Sequence, residues 1–177
     1  MNLDKNSLLI YLNNKGISYV SHEHSPLFTV KESLEKRGKI IGAHSKNLFL
    51  KNKKNIFFLF SCLENTNIDL KKLSRSLQIG NISFAKEGAL YELLGVNPGS
   101  VTPFGLLNDV ENKVKFFLDI KFFSYESVNF HPLINTNTIN LNVKDLFDLL
   151  LENKKDVNIF DFNEYSLIDR KEIYEQQ

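Results

Sequence analysis

The segment from Asn47 to Leu63, NLFLKNKKNIFFLFSCL, constrains the fold more than any other part of the chain. Two apolar runs, NLFL and IFFLFSCL, flank a polar KNKKN, which is the pattern of a β-hairpin. Side chains alternate along a strand, so Lys46, Leu48 and Leu50 share one face while Asn47, Phe49 and Lys51 share the other. Large apolar groups on both faces need cover on both sides, which places the hairpin in the middle of a sheet. Lys46 is the exception at its entrance. An unpaired buried ammonium is costly, so it has to snorkel to water, meet a carboxylate or face a cavity. The residue pattern leaves these three fates open.

Helical patterns surround the hairpin. Leu8, Leu9 and Leu12 space as one helical face that stops near Gly16. ISYVSHEH reads as a strand, and TVKE (Thr29 to Glu32) has capping-box spacing at the start of a second helix. Leu70, Leu73 and Leu77 form a stripe after Asp69, with Lys71, Lys72 and Arg75 outside it. AKEGALYELLG reads as a helix closed by Gly95, KVKFFLDI as a strand, and VKDLFDLLLEN as an amphipathic helix capped by Asn142. NPGSVTPFGLLND and FHPLINTNT read as loops, and the tail from DVNIFDF as a last strand and helix. Strands and helices alternate irregularly without internal repeats. The expected class is α+β (mixed α/β): one domain with a central mixed β-sheet flanked by helices.

Composition narrows the function classes. The 177 residues, 42% hydrophobic, suffice for one ordinary core. No apolar run approaches the ~20 positions of a membrane-spanning helix, and the N-terminus shows no signal-peptide pattern, so a soluble cytoplasmic protein is expected. The single Cys62 excludes an internal disulfide and a cysteine-based zinc site. Net charge is only +1, yet from Asp145 onward nine acids meet four bases, leaving +6 on residues 1–144. Eleven bases face four acids between Lys31 and Arg75. That local excess suits a polyanion, although a lysine-rich solvated surface gives the same count.

Few residues offer chemistry. Pro98-Gly99 suits a turn with positive φ at the glycine, and Pro103 stiffens the end of the same segment; such a loop presents backbone N–H groups to an anion or an ester carbonyl. A plain connector has the same composition. His22 and His24 share a strand face but lack companions for a metal, so no metal and no cofactor are expected. His131 stands in a polar loop where it can position water or simply cap a turn. Cys62 reads as a small core hydrophobe.

Five segments carry a family resemblance: FTVKES, GAHSKNLFLKNKK, IDLKKLSRSL, ISFAKEGALYELLGVNPGSVTPFGLLND and FHPLINTNT. In this order and spacing they resemble the prolyl-tRNA editing family, trans-acting aminoacyl-tRNA deacylases related to the insertion domain of bacterial prolyl-tRNA synthetases. The resemblance spans roughly residues 5 to 152. It implies an editing domain over residues 1–153 and a C-terminal extension of the same domain at 154–177. PGSVTPFGLLND with FHPL is most similar to the free-standing alanine-specific branch, acting on proline tRNA. A cysteine-specific deacylase of the same family and a non-catalytic tRNA-binding module are the alternatives.

The resemblance also implies roles. Lys46 would reach the aminoacyl end, Gly99 would shape the loop at the scissile ester, and His131 would place the terminal nucleotide. Phe28, Asn47, Ser100, Val101, Thr102 and Pro103 would bind substrate. Acceptor-stem contacts would fall to Lys51, Lys53, Lys54, Lys71, Lys72 and Arg75. The implied partners are an aminoacyl-tRNA and prolyl-tRNA synthetase, with neither DNA nor membrane involved. An aminoacyl ester is already activated, so its hydrolysis needs orientation, a water and carbonyl polarisation rather than a protein nucleophile.

Overall fold

In the computed structural model, residues 2–26 and 40–175 are described. Phe28 and the expected helix start at Thr29–Glu32 lie outside them. The first helix, α1 (Lys5–Asn14), begins at a reciprocal cap: Ser7 N donates to Asp4 Oδ1 and Asp4 N to Ser7 Oγ, both at 2.8 Å. It buries Leu8 and Leu12 completely. Strand β1 (Tyr19–Glu23) comes next, and then the hairpin of β2 (Ala43–Asn52) and β3 (Phe57–Leu63). The hairpin register runs from Ser45 opposite Leu63 to Lys51 opposite Phe57.

Helix α2 (Leu70–Ser76) starts where Asp69 accepts from the amides of Lys71 and Lys72. Beyond it come β4 (Ile82–Phe84), α3 (Glu87–Leu94), a 3-10 turn (Pro103–Leu107) and β5 (Val114–Asp119). A second 3-10 turn (Ile120–Ser124) leads to β6 (Val128–Phe130) and β7 (Asn137–Leu141). Helix α4 (Val143–Glu152) is capped by Asn142, and β8 (Val157–Asp161), β9 (Ser166–Ile168) and α5 (Lys171–Glu175) complete the chain.

The nine described strands form one mixed sheet in the order β1-β7-β6-β2-β3-β5-β8-β9, with β4 also against β2. The expected fold class is therefore the observed one. Parallel pairs (β2 with β6, β3 with β5, β5 with β8) flank the antiparallel β2–β3 hairpin, and antiparallel pairs finish both ends. The tail differs from the expected strand and helix by one more strand, β9. Strand β8 joins the main sheet in register with β5, from Phe116 opposite Val157 to Asp119 opposite Phe160.

Each face of the hairpin is covered by its own core. On one face Phe49, Leu59, Phe116, Leu118, Val128, Phe130, Ile139 and Leu141 pack with buried residues of α1, α3 and α4. On the other, Leu50, Phe58, Phe60, Cys62 and Phe117 meet Leu73 of α2 and Phe160 and Phe162 of the tail. Rings carry much of this smaller core: Phe60 stacks on Phe117 at 4.9 Å and Phe160 meets Phe162 edge-on at 4.9 Å.

Strand β2 changes partner along one edge. Its first residues pair with β6 (Ala43 opposite Val128, His44 opposite Asn129), and its last with β4 (Leu50 opposite Phe84 through Asn52 opposite Ile82). Between them Lys46, Asn47 and Leu48 have no ladder partner on that edge among the described residues. The sheet forks at Lys46.

Candidate active site

The fork gives Lys46 its surroundings. The residue is half-buried, stands opposite Cys62, and its Nζ donates to the carbonyl oxygen of Thr66 in the link to α2. A backbone carbonyl accepts one of the three ammonium N–H bonds and brings no negative charge to the fork. No ion pair of Lys46 occurs among the described residues. Cys62 is not a nucleophile beside it: burial pushes its thiol up to about 12, against the pull of the nearby Lys46 charge. Asp119, fully buried on the next strand, accepts from Lys121 N at 3.0 Å, and burial raises its carboxyl above the ordinary range.

Asn47 points to the opposite face, as alternation requires. Its Oδ1 accepts from Ser61 Oγ at 2.5 Å and its Nδ2 donates to Ser45 Oγ at 3.3 Å. It braces the hairpin on the side away from the Lys46 ammonium.

His131 directly follows the last residue of β6. Asn129, two residues before it, pairs with His44, two residues before Lys46, and the β2–β6 ladder ends at that pair, so Lys46 and His131 both lie just beyond it. His131 Nδ1 lies 2.8 Å from the carbonyl oxygen of Asn137. A carbonyl only accepts, so Nδ1 carries the proton and the neutral ring presents Nε2 as a base. Burial lowers its pKa below the ordinary histidine value, opposed by the Asn137 bond and reinforced by His24, whose ring is 5.8 Å away. Both nitrogens of His24 are engaged, by Ser25 O and Thr138 Oγ1, each at 2.9 Å. Among the described residues no group of three or more His, Cys, Asp or Glu side chains is placed to hold a metal ion.

The loop at Gly99 to Pro103 is built as its composition predicts. Ser100 N donates to Asn97 O at 3.0 Å, and Gly99 has φ +85° at the third turn position, the signature of a type II turn with Pro98 second. Thr102 then caps the 3-10 turn that Pro103 begins, accepting from Phe104 N at 3.4 Å. Ser100, Thr102 and Pro103 are buried, and Val101 packs against the larger core. Phe104 meets Phe130 edge-on at 6.4 Å, which joins this loop to the residue before His131.

Several supporting residues carry no signal in the sequence. Asn129 donates to Ile41 O at 2.9 Å and Ala43 O at 3.1 Å, and accepts from Asn140 at 3.0 Å, so it fixes the approach to β2. Gly42 (φ +91°) passes so near that a Cβ would stand 2.5 Å from Ser127 Oγ. Leu133, in the loop after His131, holds φ +67°, a costly conformation for a bulky residue. No local pattern marks these positions; they arise from tertiary contact.

The six basic residues divide. Lys71, Lys72 and Arg75 are exposed on α2, with Lys72 Nζ 4.5 Å from the Tyr165 ring centre. Lys53 and Lys54 stand at the hairpin turn and line a groove against the loop after α2. Lys51 lies on the other face of β2 and donates to Asn55 Oδ1 at 2.9 Å, so it does not join them.

Comparison with known proteins identifies the family. The model of the aminoacyl-tRNA editing domain matches residues 24–149. "Prolyl-tRNA synthetase associated domain-containing protein 1" of Xenopus laevis is 37% identical over 164 residues, covering 90% of this chain and 97% of its own. "Prolyl-tRNA editing protein ProX" of Acetoanaerobium sticklandii is 31% identical over 155 residues, covering 86% and 94%. A solved structure of a candidate trans-editing enzyme for prolyl-tRNA synthetase shares the fold, with TM-score 0.63 and 22% identity over 89% of this chain and 96% of its own. No described helix is long and apolar enough to cross a membrane. The chain belongs to the aminoacyl-tRNA editing domain family, in its prolyl-tRNA editing group.

Proposed function

We propose that this protein is a trans-acting deacylase that hydrolyses the ester of alanine misattached to proline tRNA. The observation that carries the reading is the half-buried Lys46 ammonium at the fork of the sheet, with no carboxylate ion pair among the described residues and His131 just past the end of β6. An ammonium held there by a carbonyl is available to a phosphate or carbonyl oxygen of the aminoacyl end.

In this mechanism Lys46 anchors and polarises the ester end of the substrate. Neutral His131 accepts a proton at Nε2 from water or from a ribose hydroxyl, its tautomer set by Asn137. The amide of Ser100 closes its own turn, so the loop donors assigned to the ester carbonyl are those of Val101 and Thr102. Attack by water breaks the acyl C–O bond, releasing alanine and the free ribose hydroxyl. Alanine would be preferred through a pocket small enough to exclude larger side chains by contact; the loss of a methylene alone discriminates by only ~1–3 kcal/mol. The working partners are the aminoacyl-tRNA and prolyl-tRNA synthetase, in the cytoplasm.

Single-turnover hydrolysis of alanyl-, cysteinyl- and prolyl-esters on proline tRNA tests this. Fast loss of alanine alone, abolished in Lys46→Ala, is the expected result. Loss of cysteine instead moves the protein to another branch, and stability of all three esters leaves a tRNA-binding module.

A further inference from the structure

One groove lies outside the site at the fork. It runs between the β2–β3 turn and the loop after α2, has a volume of about 700 Å³, and is lined by Lys53, Lys54, Lys115, Gln78 and Asn81 above an apolar floor that includes Phe58. Among the described residues no carboxylate lines it. Asp156, on the link before β8, is paired with Arg170. No sequence pattern singles out Lys115. It is exposed, and β5 brings it opposite Phe58, across the sheet from the turn lysines.

The groove is a built feature. Buried Asn52 accepts from Lys54 N at 2.9 Å and Ile56 N at 3.0 Å, and donates to Ile79 O at 3.0 Å. One side chain thus shapes the lysine-bearing turn and ties it to the opposite wall. That wall bends through left-handed backbone at Gln78 (φ +53°) and Gly80 (φ +73°).

Position relates the groove to the fork. Lys53 lies seven positions beyond Lys46, about 23 Å at the rise of a strand. Helix α2 lies between the two places in the chain: Thr66, before it, holds Lys46, and Leu77 to Asn81, after it, form the groove wall. It carries the exposed Lys71, Lys72 and Arg75.

We infer that the groove holds the sugar–phosphate backbone of the substrate tRNA's acceptor stem, on the side away from the ester. This rests on the proposed function, because it takes Lys46 as the site of the ester. Three unopposed lysines suit several phosphates in series, and an open trough admits a continuous strand. The apolar floor suits the face of the sugars.

The test measures equilibrium binding of uncharged proline tRNA at several salt concentrations, independently of hydrolysis. The variant is Lys53→Gln/Lys54→Gln/Lys115→Gln, with Lys115→Gln alone as a second. The triple variant is expected to bind about 10- to 100-fold more weakly near 0.1 M salt, and the log–log salt slope to shrink by about 2 to 3. Lys115→Gln alone is expected to shrink it by about 1. Unchanged slopes in both overturn the inference. So does release of the tRNA by millimolar inorganic phosphate at constant ionic strength, which would mark a small-anion site. If the parent hydrolyses no ester but the slopes still shrink, the deacylase reading fails and the groove stands. If hydrolysis is robust and the slopes are unchanged, the reverse holds.

Discussion

The carbonyl oxygen of Asn137 lies 2.8 Å from Nδ1 of His131, and this one contact decides which nitrogen of the neutral ring carries the proton. Because the ring is also half-buried, its protonated form is disfavoured. The neutral form is the one that can act as a base. His131→Ala is expected to slow ester hydrolysis by ~10²-fold or more, read by single-turnover kinetics. A change of less than threefold would remove it from the mechanism.

The same lowered pKa fixes the direction of the pH dependence. The folded protein binds fewer protons at His131 than the unfolded chain just below the ordinary histidine value near 6.5. Stability from this group is therefore present above about pH 6.5 and lost as pH falls through its lowered value. The hydrolysis rate should behave likewise, holding from pH 8 to 7 and declining only below about 6.5. A pH–rate profile that already falls between 8 and 7 would contradict the assignment.

Lys46→Ala separates function from folding. The side chain makes one bond to a backbone carbonyl and is only half-buried. Its loss should lower stability by about 1–3 kcal/mol, while hydrolysis falls by ~10²- to 10³-fold. Urea titration together with rate measurement on the same preparation distinguishes the two effects.

Cys62 should be silent. With its thiol pushed up to about 12, it is protonated at neutral pH and resists alkylation in the folded state. Iodoacetamide at pH 8 should label it only after unfolding, and Cys62→Ala should hydrolyse esters within a few-fold of the parent. Stoichiometric labelling of native protein with loss of activity would instead point to a thiol mechanism.

Asn52→Ala tests the architecture of the turn. Three hydrogen bonds converge on this buried side chain, so its truncation should cost about 2–3 kcal/mol. Urea unfolding reads the loss as a lower midpoint with an unchanged slope.

Local chemistry makes part of this fold legible. The KNKKN turn between two apolar runs, the Asn142 cap and the Pro98-Gly99 turn each rest on a few adjacent residues, and each forms as read. Strands β4 and β6 do not have that advantage. At three residues each they are too short for a period to show, and they exist because β2 offers them an edge. The candidate site is legible only through resemblance. Lys46 is conspicuous by its place before an apolar run, but its partner is the carbonyl of Thr66, a group every residue carries. No sequence can advertise such a partner. Asn137 sets His131 in the same way, through its backbone.

The placement of β8 bears on how the chain matures. Phe160 and Phe162, within the last 18 residues, pack on Phe117, Phe60 and one another in the smaller core. During synthesis from the N-terminus, the hairpin, α2 and β5 emerge first, and their aromatic side stays open until this segment leaves the ribosome. Lys46 and His131 are translated before the sheet beneath Phe60 can close. Translation therefore delivers the residues of the proposed site ahead of this clasp, and a ribosome stalled near residue 153 would present chaperones with an open aromatic face.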